Sequence, residues 1–255
     1  MGKFFGTDGI RGVANKDLTP ELAFKLGRAV AYVLTRDYEE PMICIGKDTR
    51  ISGDMLEAAL AAGICSSGAN VYQLGVVPTP AIAYLTRHLK AHAGAVISAS
   101  HNPMEDNGIK FFNQFGFKLS DEVEEEIAGY VLDRPEEIPR PVGRDVGRII
   151  SLDQGKNIYT AHLASIFADS LKGMHIAIDC ANGAASEVMP ALLRSLGAKV
   201  VSLSDEPNGT NINEDCGSTH MENLRDYVIQ HKADIGIAHD GDADRMLAVD
   251  ELGRV

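Results

Sequence analysis

Apolar residues in this chain fall into short runs separated by polar turns, and the spacing within the runs switches between helical and strand-like. Thr19-Pro20-Glu21 predicts a helix start, with a threonine cap, proline at the first helical position and an acid in the first turn. Leu22, Leu26, Ala29, Val30 and Val33 follow at helical spacing, which predicts a helix over 20–34. Met42-Ile43-Cys44-Ile45-Gly46 has the pattern of a buried strand and empties into a polar turn, Lys47-Asp48-Thr49-Arg50. An alanine-rich helix is expected from Met55 to about Ser67, then a strand over Asn70-Val71-Tyr72-Gln73-Leu74. Pro78-Thr79-Pro80 breaks the chain before another helix. Strand, helix, strand, helix, strand is the signature of a parallel sheet wrapped by helices.

The run from Asp133 to Pro141 holds three prolines among charged neighbours and cannot be a regular element, so a domain boundary is expected just beyond it, near residue 150. The second half then repeats the first. Ile176-Ala177-Ile178-Asp179 answers Ile43-Cys44-Ile45-Gly46. Leu196-Gly197-Ala198-Lys199-Val200 answers Ser67-Gly68-Ala69-Asn70-Val71, each closing a helix on glycine and entering a strand. Ala233 to Ile237 answers Ala93 to Ile97, and laying these two together without a gap sets Ser100 opposite Asp240. The expected fold class is therefore α/β, with two topologically similar domains, 1–150 and 151–255. Each is a mixed, mainly parallel sheet flanked by helices, with polar loops at the strand ends where open α/β sheets place ligands.

Composition narrows the partners. The formal net charge of −12 argues against a nucleic-acid partner, which needs a basic face. No stretch approaches the roughly 18–20 uninterrupted apolar residues that cross a bilayer. The opening Met1 to Gly9 lacks the apolar core of a signal peptide, and a cytoplasmic location is expected. Cys44, Cys65, Cys180 and Cys216 are far apart, with no C-x-x-C pair, and read as reduced, buried thiols.

Two strand-end loops carry candidate chemistry. In Ile235-Gly236-Ile237-Ala238-His239-Asp240-Gly241-Asp242-Ala243-Asp244-Arg245, three carboxylates stand at alternate positions. Alternate residues leaving a strand point the same way, so Asp240, Asp242 and Asp244 can converge on one hard cation; a solvated acidic turn is the other reading. An EF-hand is rejected, because Arg245 takes the place of its sixth-position glycine and both flanks are strand-like. In Gly94-Ala95-Val96-Ile97-Ser98-Ala99-Ser100-His101-Asn102-Pro103, Ser100 offers a hydroxyl beside an imidazole, and Asn107-Gly108-Ile109-Lys110 adds a cation. Ser100 reads either as a cap or as a nucleophile, with His101 and Lys110 as base or phosphate anchor. No G-x-S-x-G elbow supports a hydrolase. The glycine-rich stretch from Phe5 to Gly12 reads as a turn, Lys47-Asp48-Thr49-Arg50 as a charged turn, and Asn208 to Asn213 as a loop. Thr219-His220-Met221-Glu222 fits a capping box.

Taken in order, F-G-T-D-G-I-R-G (5–12), I-S-A-S-H-N-P (97–103), N-G-I-K (107–110) and D-G-D-A-D-R (240–245) resemble the motifs of the α-D-phosphohexomutase superfamily. The resemblance covers the whole chain. It implies that Ser100 carries a phosphoryl group and that Asp240, Asp242 and Asp244 hold one Mg²⁺ together with an oxygen of that phosphoserine. It further implies that Lys110 and His101 assist proton movement, and that Arg11, Arg245 and Lys110 bind the phosphoryl group or the substrate. The S-A-S-H-N-P form, the opening motif and C-G-S-T-H (216–220) are most similar to the bacterial branch acting on glucosamine phosphates. That implies interconversion of glucosamine 6-phosphate and glucosamine 1-phosphate through a bisphosphate, supplying UDP-N-acetylglucosamine and cell-wall precursors. A homodimer through the N-terminal domain and a regulatory protein partner belong to the same expectation.

Other readings are a glucose or mannose member of the superfamily, a dimerisation or partner-docking module using the helix over 20–34, and an aspartate-nucleophile phosphatase. The last is missed by its motif, because Asp244 stands where threonine or valine is expected. Superfamily members have four domains. The sugar and substrate-phosphate loops of the later two are not found here, and the chain stops at Leu252-Gly253-Arg254-Val255, just past an expected hairpin turn after Met246 to Val249. The expectation is a piece holding the first two domains, inactive on its own in the sense that it cannot turn over substrate.

Overall fold

The computed structural model describes residues 4–6, 9–167 and 170–255. The first sheet and its helices comprise β1 (Ile10–Val13), α1 (Pro20–Thr35), β2 (Met42–Lys47), α2 (Ser52–Cys65), β3 (Asn70–Val76), α3 (Thr79–His88), β4 (Ala93–Ile97), β5 (Asp106–Asn113), α4 (Asp121–Leu132) and β6 (Ile149–Ser151). The remainder comprises α5 (Gly155–Ile166), β7 (His175–Asp179), α6 (Met189–Ser195), β8 (Lys199–Leu203), α7 (Glu222–His231), β9 (Ile235–His239) and β10 (Met246–Asp250). The first sheet has the order β1-β5-β4-β2-β3-β6 and the second β10-β9-β7-β8. Parallel pairing joins β4, β2, β3 and β6 in one and β9, β7 and β8 in the other. The strands β5, β1 and β10 run antiparallel to their neighbours. Both domains are thus mixed, mainly parallel sheets flanked by helices. The sheet continues to Ser151, so the expected division near residue 150 falls inside β6, and α5 packs back on α3 and β3.

Alternation of side chains builds a core on each face of each sheet. Ile43 and Ile45 of β2 face α1, α2 and α4, while Cys44 joins Leu74, Ile82, Leu85 and Val96 on the α3 side. In the second sheet Ile176 and Ile178 pack towards α6, and Ala177 towards Leu224 and Val228 of α7. Each fully buried aliphatic side chain contributes roughly 1.5–3 kcal/mol relative to an exposed one.

Local signals account for many of the boundaries. Thr19 Oγ1 accepts the Leu22 N–H at 3.3 Å and starts α1 as predicted. Leu26, Ala29 and Val30 of this helix are fully buried, with Leu22 and Val33 packed at the edge, so its apolar face is used in the protein's own core. Gly68 (φ 93°) and Gly197 (φ 96°) end the equivalent helices in the left-handed region that only glycine adopts readily. All four cysteines are free and buried, and burial pushes the Cys44 thiol up to about 12 and that of Cys216 up to about 11. Among the described residues, no helix is long and apolar enough to cross a membrane.

Three expectations are corrected. The helix predicted from Met55 begins at Ser52 and ends at Cys65, because the polar turn before it closes sooner. The capping box at Thr219 does not form. Asp179 Oδ2 accepts the Gly217 N–H at 2.8 Å, which fixes Gly217–Thr219 as a 3₁₀ turn, and α7 starts at Glu222 without a side-chain cap. The gapless repeat is out by two residues. Ile43 pairs with Ala93, whereas its equivalent Ile176 pairs with Ile235, so Ser100 is topologically equivalent to Asp242 and Ser98 to Asp240. A slip of two keeps every strand residue on its own face, and the apolar pattern alone therefore does not detect it.

Candidate active site

β4, an interior strand, delivers Ser98, Ala99 and Ser100 just beyond its C-terminal end. Ser100 is fully buried and has φ 56°, a left-handed conformation that is strained for a residue with a Cβ. Its N–H donates to Ser98 Oγ at 2.9 Å, and Ser98 Oγ–H donates to Asp48 Oδ2 at 2.6 Å. Its carbonyl accepts from Arg50 Nη2 at 3.1 Å and from Asn213 Nδ2 at 2.9 Å. With the backbone so fixed, the hydroxyl donates to Asp240 Oδ2 at 2.5 Å.

β9 delivers the carboxylates. Oxygen atoms of Asp240, Asp242 and Asp244 lie within 4.8 Å of one another. Their convergence comes from a turn rather than from strand alternation, because β9 ends at His239 and the Ala243 N–H bonds back to Asp240 O at 3.0 Å, with φ 54° at Ala243. Asp242 Oδ2 accepts from Thr79 Oγ1 at 2.7 Å and from Lys110 Nζ at 3.2 Å. Lys110 Nζ also lies 3.5 Å from Asp244 Oδ2. The Arg245 N–H donates to Asp240 Oδ1 at 3.2 Å, and its side chain lies 3.7 Å from Asp244 and 3.3 Å from His101 Nδ1.

Crowding of like charges shapes the ionisation. Burial and the neighbouring Asp242 push the Asp240 carboxyl above its ordinary value, and the same two causes raise Asp244. Burial works against ionisation of Asp242 as well, but Lys110 and the Thr79 hydroxyl outweigh it and hold that carboxyl low. Among the described residues, three carboxylates meet two cations here, Lys110 and Arg245, and Asp242 Oδ1 is buried without a hydrogen-bond partner. An all-oxygen donor set with a spare buried oxygen fits a hard divalent cation such as Mg²⁺.

Ser100, Asp240, Asp242, Asp244 and Lys110 are brought together as expected from the sequence, with His101 and Arg245 paired at the rim. Arg11 stands on β1 opposite Gly108, where a Cβ would come within 2.9 Å of its Cγ. Thr7 and Asp8 of the glycine-rich opening lie outside the described residues; Gly6 and Gly9 beside them bond to each other at 2.9 and 3.3 Å. The domains touch through backbone at Gly241, where a Cβ would lie 2.6 Å from Ser100 O and 2.8 Å from Ile212 Cδ1. A cavity of about 170 Å³ adjoins the site, lined in part by Thr79, Lys110, Lys118 and Asp244. A larger one, about 490 Å³ around Phe24, Arg28 and Tyr130, contains none of the site residues.

Sequence reasoning missed Thr79, Asp48, Arg50, Ser98 and Asn213. The turn over 47–50 leaves the C-terminal end of β2, next to β4 in the sheet, and that position was the available signal. Asn213 carried no signal beyond its polar loop, because it meets Ser100 only through the docking of one domain on the other.

Comparison with known proteins finds one family along the chain. Residues 2–137 match the family model described as phosphoglucomutase/phosphomannomutase, alpha/beta/alpha domain I, and residues 157–253 match domain II of the same family. Over its whole length the chain is 60% identical to the phosphoglucosamine mutase of Carboxydothermus hydrogenoformans, covering 58% of that protein. Over 99% of its length it is 58% identical to the protein of that name from Syntrophomonas wolfei, covering 57% of it. The crystal structure of a phosphoglucomutase/phosphomannomutase family protein from Burkholderia thailandensis superimposes with a TM-score of 0.85 at 27% identity, over 99% of this chain and 55% of that one. The chain thus spans somewhat more than half the length of the relatives it matches.

Proposed function

Because the chain belongs to the phosphoglucomutase/phosphomannomutase family, we propose that it supplies the phosphoryl-carrying serine and the metal-holding carboxylates of a mutase interconverting glucosamine 6-phosphate and glucosamine 1-phosphate. The choice of glucosamine over glucose or mannose is supported by the name shared by the relatives 58–60% identical to it.

Ser100 is the phosphoryl carrier in this reading. A sugar hydroxyl oxygen attacks phosphorus, the bond to Ser100 Oγ breaks with its electron pair left on Oγ, and the hydroxyl proton departs through His101. The bisphosphate then returns its other phosphoryl group to Ser100. Arg245 and Arg11 offer guanidinium groups to the phosphoryl oxygens. When bound by Asp240, Asp242, Asp244 and a phosphoserine oxygen, Mg²⁺ supplies positive charge against that developing on the phosphoryl group. Lys110, between Asp242 and Asp244, holds the Asp242 carboxyl low and opposes the rise that burial and Asp242 impose on Asp244. A second copy or a regulatory protein docked through the first domain draws no support from α1, whose apolar face is in the core.

The observation that carries the reading is the 2.5 Å contact of the buried Ser100 hydroxyl with Asp240, beside an Asp242 oxygen that has no hydrogen-bond partner among the described residues. The chain incubated with glucosamine 1,6-bisphosphate and Mg²⁺ should gain one phosphoryl group, about 80 Da by intact-mass spectrometry, and Ser100→Ala should abolish the gain. Uptake that survives Ser100→Ala would move the nucleophile to an aspartate and end the mutase reading.

A further inference from the structure

Arg50 is 2% exposed, and every N–H of its guanidinium has an acceptor. Nε donates to Asp48 Oδ2 at 2.9 Å. Nη2 donates to the carbonyls of Ser100 at 3.1 Å and Asn102 at 2.8 Å, and Nη1 to those of Asp106 at 3.0 Å and Pro103. Four of the five acceptors belong to the segment 100–106, so the serine loop is folded around this one side chain. Asp48 extends the arrangement: it accepts the Arg50 backbone N–H at 2.9 Å and the Ser98 hydroxyl at 2.6 Å, and Ser98 Oγ accepts the Ser100 N–H at 2.9 Å.

Ser100 is therefore gripped at both its N–H and its carbonyl while it holds a left-handed φ of 56°, a conformation that costs of order 1–3 kcal/mol unless its surroundings impose it. The side-chain oxygen is the only polar atom of Ser100 left outside this grip, and it points at Asp240. A lysine at position 50 has three donors on a flexible stem and cannot serve five acceptors spread around a planar fork. Arg28 is likewise buried and spends its bonds on the carbonyls of one loop, Pro135, Ile138 and Pro139; what distinguishes Arg50 is that the loop it holds carries the hydroxyl aimed at Asp240.

We propose that Arg50, with Asp48 and Ser98, is a positioning residue that sets the direction of Ser100 Oγ for phosphoryl transfer. The transfer half of this rests on the mutase reading; the conformational half does not.

The test compares wild type, Arg50→Lys, Ser98→Ala and, as a destabilised control outside the site, Leu26→Ala. Phosphoryl uptake at Ser100 from glucosamine 1,6-bisphosphate with Mg²⁺ is followed by mass, giving a maximal rate and a half-saturating concentration, and amide hydrogen exchange is read residue by residue. Arg50→Lys should lower the maximal rate about 100-fold, the scale on which a small misplacement of a reacting atom acts, with the half-saturating concentration unchanged. Ser98→Ala, which leaves the Arg50–Asp48 pair intact, should lower it about tenfold, the equivalent of one lost hydrogen bond. Exchange should quicken within 98–106 alone in both, and Leu26→Ala should transfer at the wild-type rate. A wild-type rate in folded Arg50→Lys, or an equal loss in Leu26→Ala, would overturn the proposal. Should wild type take up no phosphoryl group, the mutase reading fails by itself. Exchange confined to 98–106 would then still support the hold of Arg50 on Ser100, and exchange spread over the whole domain would refute it.

Discussion

At the end of β4 the serine loop turns its carbonyls inward around one guanidinium from its own domain, and at the end of β9 the aspartate loop turns its carboxylates towards a hydroxyl and an ammonium from the other domain. The two loops leave equivalent strands of two similar sheets. One is shaped by neutral backbone groups that Arg50 satisfies, the other by charges that repel unless something outside the loop relieves them. The serine loop takes most of its bonds from Arg50 of its own domain and only Asn213 from the other, whereas the aspartate loop takes Thr79 and Lys110 from across the boundary. The shared topology puts two loops at one kind of position, and the docking of the domains makes them different in kind.

That contrast breaks most sharply at Asp242. Asp242→Ala should reduce Mg²⁺ affinity, measured by calorimetry, by more than the 10–100-fold that losing a supporting residue costs, and should leave exchange at the Ser100 amide at its wild-type rate. Thr79→Val removes a donor from the other domain, and a drop of roughly tenfold in Mg²⁺ affinity is expected. An unchanged affinity would mean that the aspartate loop is self-sufficient.

Acid–base behaviour supplies a smaller signal. The folded chain raises the carboxyls of Asp240 and Asp244, so it binds their protons more tightly than the unfolded chain does, and stability falls as pH climbs through the window above the ordinary value of 3.8. Asp242, held low, works the other way and loses its stabilising effect only as pH falls below that value. Urea unfolding of the metal-free chain against Asp240→Asn should therefore show the variant gaining stability relative to wild type towards neutral pH, and Mg²⁺ should cancel the gain. Smallest of all is His101→Ala, which removes an exposed contact with Arg245 and should alter unfolding free energy by no more than about 0.5 kcal/mol. A larger loss would make that pair a tie between the loops.

Much of this arrangement is legible in the residues themselves. The Thr19 cap, the apolar runs of β2, β4, β7 and β9 and the paired helix-ending glycines spell out the two-sheet plan, and residue type and order mark Ser100 and the three aspartates. Arg50 is not legible in this way, because its acceptors are mostly carbonyls, which leave no trace in residue identity, and a charge after a strand is ordinarily solvated. Register is hidden for a different reason: strands repeat every two residues, so hydrophobicity cannot distinguish Ser100 facing Asp240 in an alignment from Ser100 touching Asp240 across an interface. The first is an error and the second is how the site is built.

Gly241 has a mechanical consequence. Its Cα lies against the carbonyl of Ser100 with no room for a methyl group, and Asn213 grips the same carbonyl from the same domain. Backbone against backbone leaves no side chain to bend, so the hydroxyl and the carboxylates cannot slide past each other while this contact lasts. The two domains are expected to travel as one rigid jaw, and any cleft that must open for a sugar to enter or turn over has its hinge somewhere other than between them.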